Sequence, residues 1–267
     1  MDYYSRFSLE YDPFLKNSKE IFVRTSEAKE VICRLEYLQN TKGFGLLTGE
    51  PGLGKTTCIR TWTNGLNPSL YKVIYSSLST VTVNEFYMNL ARGLGVEPAY
   101  RKVENFHRIQ AEINRYNLEK RVTPVIIIDE ANYANSKILN DLKIIFNFEM
   151  DSRDRAVILL SGLQTLNNTL NLSSHEPLRQ RIVMNYNMEC LNKIDAKEYV
   201  LAKLTSAGRS DSFFEDAALE ALLNSAQGKP RLINKYCTSA MRIAAANSEQ
   251  FISTDTAMKA LNDCELN

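Results

Sequence analysis

Gly49-Glu50-Pro51-Gly52-Leu53-Gly54-Lys55-Thr56-Thr57 decides the fold. It follows the apolar run Phe44–Thr48, which reads as a strand, and opens Thr56–Asn64, which reads as a helix. A Gly-x-x-x-x-Gly-Lys-Thr loop between strand and helix has a defined chemistry. Its glycines let the backbone turn tightly and approach a ligand closely. Backbone N–H groups and the helix N-terminus then point at phosphate oxygens. Lys55 reaches the β and γ phosphates of ATP, and the Thr56 hydroxyl is a ligand for Mg²⁺. All nine residues, Gly49, Glu50, Pro51, Gly52, Leu53, Gly54, Lys55, Thr56 and Thr57, are expected to line the nucleotide.

Working outward, a second motif agrees. Val125-Ile126-Ile127-Ile128 is apolar throughout and ends in Asp129-Glu130. In open α/β sheets ligands bind at the C-terminal ends of the strands. Asp129 is therefore expected to hold Mg²⁺, directly or through water, and Glu130 to orient and polarise the attacking water. Further strands are expected at 71–76, 156–160 and 182–186, with helices at 26–39, 83–94, 104–119 and 137–148. Ser26 is the expected N-cap of the first helix. Apolar strands alternating with helices imply a parallel sheet covered on both faces. From about Leu191 four helices follow without a strand, at 196–206, 216–226, 231–247 and 255–263. The fold class is α/β: a P-loop three-layer αβα core with a parallel sheet, then a small all-helical lid. Residues 1–30 read as an arm packing on the core, 31–190 as the nucleotide-binding core and 191–267 as the lid.

Composition narrows the rest. A net charge of +1 gives no general field toward nucleic acid or membrane, so any DNA contact has to come from a local patch. Five dispersed cysteines without a C-x-x-C pair suit reduced thiols in a cytoplasmic protein, and two isolated histidines do not make a metal cluster. No apolar stretch approaches the ~20 residues of a membrane span, and the start lacks a signal-peptide pattern, so no membrane partner is expected.

Three further positions suit the same chemistry. Ser161 ends the 156–160 strand, where a polar side chain touches the γ-phosphate or the water; Gln164 competes for that role. Arg179 and Arg181 precede the last strand, where one of them, Arg181 by preference, could serve a neighbouring subunit's γ-phosphate as an arginine finger. Arg231 follows Gly228-Lys229-Pro230 at a helix start, placed to sense the γ-phosphate.

The order of these elements resembles an AAA+ ATPase: the loop, Ile-Ile-Ile-Asp-Glu-Ala, Gln180-Arg181-Ile182 before a strand, then Gly228-Lys229-Pro230-Arg231-Leu232-Ile233-Asn234. More closely it resembles the ExeA-type group, through Tyr11-Asp12-Pro13-Phe14, Arg34-Leu35-Glu36-Tyr37 and the Phe44–Glu50 lead-in. Phe148-Glu149-Met150-Asp151-Ser152 is similar to the branch encoded beside transposases. One departure is Ser161-Gly162-Leu163-Gln164, where relatives often carry Gly-Gln-Pro. The resemblance implies ATP with Mg²⁺ as cofactors, Phe14 against the nucleotide, and an ATPase whose turnover is slow and stimulated by assembly. It divides between secretion ATPases with an added membrane region and short transposition regulators similar to MuB, TnsC and TniB. The chain's length and lack of a membrane segment favour the second. That reading implies a homo-oligomeric ring or helical filament on double-stranded DNA. The partner is a transposase, with a target-selection protein as a further one. Tyr100-Arg101-Lys102 corresponds to the DNA-facing region, with Arg101 and Lys102 on the phosphates. The alternative is an ExeA-type secretion or protein-assembly ATPase with no DNA role.

Overall fold

A computed structural model describes residues 2–19, 21–77 and 80–264. In chain order it contains α1 (Ser26–Thr41), β1 (Gly43–Gly49), α2 (Lys55–Asn64), β2 (Tyr71–Ser76), α3 (Val83–Leu94) and α4 (Lys102–Asn114). There follow β3 (Thr123–Ile128), α5 (Ser136–Ile145), β4 (Val157–Gly162), α6 (Thr165–Leu170), α7 (Glu176–Arg179) and β5 (Ile182–Met188). The last helices are α8 (Lys193–Ser206), α9 (Asp216–Ala226), α10 (Pro230–Ala246) and α11 (Thr254–Cys264). Contacts divide these into two units. One comprises Glu30–Pro51 with Lys55–Met188, the other Met1–Lys29, Gly52–Gly54 and Glu189–Asn267.

The first unit is the α/β body. Its five strands run in the order β2-β3-β4-β1-β5, and each neighbouring pair is parallel. β1 and β4 are buried along their whole length, and β3 from Pro124 onward. The edge strands β2 and β5 bury residues only intermittently. That is the pattern of a sheet covered on both faces at its centre. Ile126, Ile128, Ile158 and Leu160 pack with Phe86 and Leu90 of α3, Ile109 of α4 and Leu142 of α5. Each such side chain contributes about 1.5–3 kcal/mol by leaving water. The register matters for function. Ser76 pairs with Ile128, Ile128 with Leu160, and Leu47 with Ser161, so the strand ends carrying Tyr75, Asp129, Ser161 and Gly49 share one edge of the sheet.

Several boundaries differ from expectation. Thr25 caps α1 in place of Ser26: its Oγ1 accepts the Ala28 N–H at 3.2 Å, while the Ser26 hydroxyl turns to Asp195. The helix expected over 104–119 starts at Lys102 and gives way at Arg115 to a wide π turn over Arg115–Glu119. α5 stops at Ile145, short of the expected Phe148. There Phe148 turns extended and bridges Arg153, and Glu149 and Met150 take left-handed backbone angles.

The second unit is helical. Phe213, Leu219, Ile233, Met241 and Ile252 are part of its apolar core. The N-terminal arm belongs to this unit: Phe7, Leu9 and Phe14 are buried in the same core. Asp12 accepts the Tyr3 hydroxyl at 2.6 Å and the Phe14 N–H at 2.8 Å, and buried Lys203 donates to Pro13 O at 2.7 Å. The expectation that the arm packs on the α/β core is thereby corrected, because its aromatics find their partners among α8–α11. Among the described residues no helix is long and apolar enough to cross a membrane.

Candidate functional site

The phosphate loop leaves β1 at Gly49 and enters α2 at Lys55. Gly52 has φ +85°, a conformation other residues adopt at a cost. The Lys55 ammonium donates to Gly49 O at 2.8 Å and Glu50 O at 2.9 Å, which holds the charge at the mouth of the loop. Within the helical unit, the Arg231 N–H donates to Gly52 O at 3.2 Å.

Asp129 is the hub of the site. It is 4% exposed. Its Oδ2 accepts the Thr56 hydroxyl at 3.0 Å and the Tyr75 hydroxyl at 2.8 Å. Its Oδ1 accepts the Ser161 hydroxyl at 2.8 Å and the Glu130 N–H at 3.0 Å. These four donors are neutral. Burial and the bond to Asp129 push the Tyr75 hydroxyl up to about 12, which keeps it a donor throughout the physiological range. Glu130 has φ +52° and lies exposed just past the strand. Non-glycine residues held in this region cluster at functional sites.

The donor set suits a hard cation. Thr56 Oγ1 and the Asp129 carboxylate are oxygen ligands beside a phosphate loop, the pattern by which Mg²⁺ is held with water and substrate phosphates. Among the described residues no cluster of three or more His, Cys, Asp or Glu offers an all-protein cage. When bound, Mg²⁺ would neutralise charge developing on the phosphates. Thr56 and Asp129 would hold it.

The other predicted residues scatter more widely. Ser161 is fully buried and reaches Asp129, whereas Gln164 is exposed at the start of α6. Arg179 is exposed and donates to Asn171 O at 3.2 Å. Arg181 is half-buried, donates to Lys143 O at 2.7 Å and lies over the Phe44 ring; burial lowers its pKa. Phe14 is 4% exposed, with its ring built into the helical core. Arg101 is exposed beside Tyr100, which is 90% exposed. Lys102 instead pairs with Asp141 at 2.6 Å and lies over the Tyr87 ring, so its charge is engaged within the α/β unit. Sequence reasoning missed Tyr75 and Asn132. Asn132 accepts the Leu163 N–H at 3.0 Å and steadies the turn after Ser161. For Tyr75 the only signal was its place at a strand's end.

A phosphate loop on β1, an Asp-Glu pair after β3 and a polar residue ending β4 on a five-stranded parallel sheet define a P-loop ATPase. Residues 38–170 match the family AAA_22, an AAA domain, and the chain is similar to AAA+ ATPases. It is 29% identical over 267 residues to General secretion pathway protein A of Aeromonas hydrophila, covering 95% of this chain and 47% of that protein. It is 24% identical over 147 residues to the ATP-dependent target DNA activator B of Escherichia phage D108, covering 55% of this chain and 44% of that one. The chain thus spans about half the length of these two curated relatives. Among solved structures, Cdc6p from Pyrobaculum aerophilum superposes with a TM-score of 0.69 at 15% identity, over 94% of this chain and 70% of that one.

Proposed function

We propose that the chain is an ATP-dependent, DNA-binding regulator of DNA transposition that assembles on target DNA and recruits or activates a transposase. The observation that carries this reading is the kinship with a phage ATP-dependent target DNA activator. The surface at Tyr100 and Arg101 adds support, because an exposed aromatic beside an exposed guanidinium suits a sugar-phosphate backbone. With a chain charge of only +1, useful affinity has to come from repeating that contact in an oligomer. In the assembly Lys55 and the loop hold ATP, Thr56 and Asp129 hold Mg²⁺, and Glu130 orients the water. Ser161 steadies Asp129. Arg231 reads the γ-phosphate, and Arg181 or Arg179 serves the neighbouring subunit. Lys102 acts by holding α4 against α5 rather than by touching DNA.

A second reading has its own support. The 29% identity to a secretion protein runs along 95% of this chain. It predicts an envelope or protein partner and no DNA retention. Electron microscopy with a non-hydrolysable ATP analogue, with and without duplex DNA, separates the two. Nucleotide-dependent rings or filaments on DNA, weakened in Arg101→Ala and by added salt, support the DNA role. Identical assembly without DNA, and DNA binding unchanged in Arg101→Ala, would sink it.

A further inference from the structure

We propose that Tyr75 is a positioning residue for the metal-holding carboxylate of Asp129, a role that rests on the nucleotide-site reading above. Tyr75 stands on the edge strand β2, next to β3 in the sheet, and its register partner is Ile127, two residues before Asp129. Its ring is 52% exposed, so it adds little to the apolar core. An edge tyrosine with that exposure ordinarily leaves its hydroxyl in water. Here the hydroxyl turns back to donate to Asp129 Oδ2 at 2.8 Å.

That oxygen is also the one that accepts the Thr56 hydroxyl at 3.0 Å. The carboxylate is thus gripped from four separate segments. α2 and β2 supply donors to Oδ2; β4 and the backbone after β3 supply donors to Oδ1. With Oδ1 held by Ser161 and Glu130 N–H, Tyr75 and Thr56 both bear on which way Oδ2 faces. A cation bound beside Thr56 needs that direction fixed in advance, since a metal site's outer hydrogen bonds set the orientation of its ligands. Removing the tyrosine hydroxyl leaves every charge in place and loosens one of the holds on Oδ2. The expected deficit is therefore in metal affinity, with nucleotide affinity measured without metal unchanged.

The test uses the full chain and Mn²⁺ as a spectroscopic substitute for Mg²⁺. Electron paramagnetic resonance measures free Mn²⁺ as protein and a non-hydrolysable ATP analogue are added. Tyr75→Phe should bind Mn²⁺ about tenfold more weakly, the usual scale for losing such an outer hydrogen bond. Its melting temperature and its nucleotide affinity in chelator should match the wild type. Asp129→Ala is the reference for losing the ligand itself. Wild-type Mn²⁺ affinity in Tyr75→Phe, with a loss in Asp129→Ala, overturns the role of Tyr75 alone. Wild-type affinity in both variants overturns the nucleotide-site reading and this proposal with it. An equal loss of nucleotide affinity in chelator would make Tyr75 a structural residue and would also overturn the proposal.

Discussion

Gly228→Ala should be among the most damaging single-methyl changes in this chain. Gly228 has φ +70°, which costs an alanine about 1–2 kcal/mol. The added Cβ would lie 2.9 Å from Leu191 N and 3.0 Å from Leu191 C, with the Leu191 carbonyl oxygen nearer still. These are backbone atoms, so no side-chain rotation relieves the overlap; one strand of chain has to move. Movement breaks the bond from Leu191 N–H to Gly228 O, 2.9 Å long, at about 1 kcal/mol. It also disturbs the packing of buried Leu191 at about 1–3 kcal/mol. The total is on the order of 4 kcal/mol, against about 5–15 kcal/mol for a whole domain. Urea unfolding followed by far-ultraviolet circular dichroism measures it. A midpoint shift worth less than about 1 kcal/mol would refute the argument, because it would mean that the junction before α10 yields easily.

Other variants test the chemistry. Glu130→Gln should retain nucleotide while hydrolysis falls about a hundredfold or more in a steady-state phosphate-release assay. Glu130→Gly should lose hydrolysis as well, yet gain up to about 1 kcal/mol in a thermal melt by relaxing the left-handed backbone. Arg181→Ala should leave nucleotide binding to the monomer intact and lower ATPase activity only at concentrations where the protein assembles. A concentration-independent rate equal to the wild type's would remove it from the neighbour's site. His175 is buried, and burial and then Lys143 lower its pKa below the ordinary 6.5. The unfolded chain therefore takes up a proton that the folded one resists. Stability should decline as pH falls below about 6.5, and His175→Gln should flatten that decline in melts across the acid range.

Much of the nucleotide site could be read in the sequence because its parts are local. The phosphate loop is nine consecutive residues, and Asp129-Glu130 ends an uninterrupted apolar run. The limits of α3 and α9 follow from their apolar spacing and flanking residues and coincide with expectation. What could not be read depends on which strands become neighbours. Tyr75 meets Asp129 only because β2 lies beside β3, and that order is a property of the folded sheet. Lys102 looks like a free cation until Asp141, far along the chain, is placed beneath it. The arm shows the same limit. Phe7 and Phe14 announce burial, but aromatic spacing does not say which of two cores receives them. α5 ends before Phe148, whose ring lies beneath the Arg155 guanidinium, a contact its helical periodicity gives no sign of.

The arm's placement has a consequence for the order in which the protein forms. Phe7, Leu9 and Phe14 are made early, yet their packing partners include Ala257, Ala260 and Leu261. During synthesis the whole α/β sheet, through Met188, leaves the ribosome before those partners exist. The sheet unit is therefore free to fold first, while the arm's aromatics wait in water until their helical partners are made. A nascent chain halted once β5 has emerged would carry a finished sheet and an unsheltered apolar arm, a form in which this protein needs a chaperone.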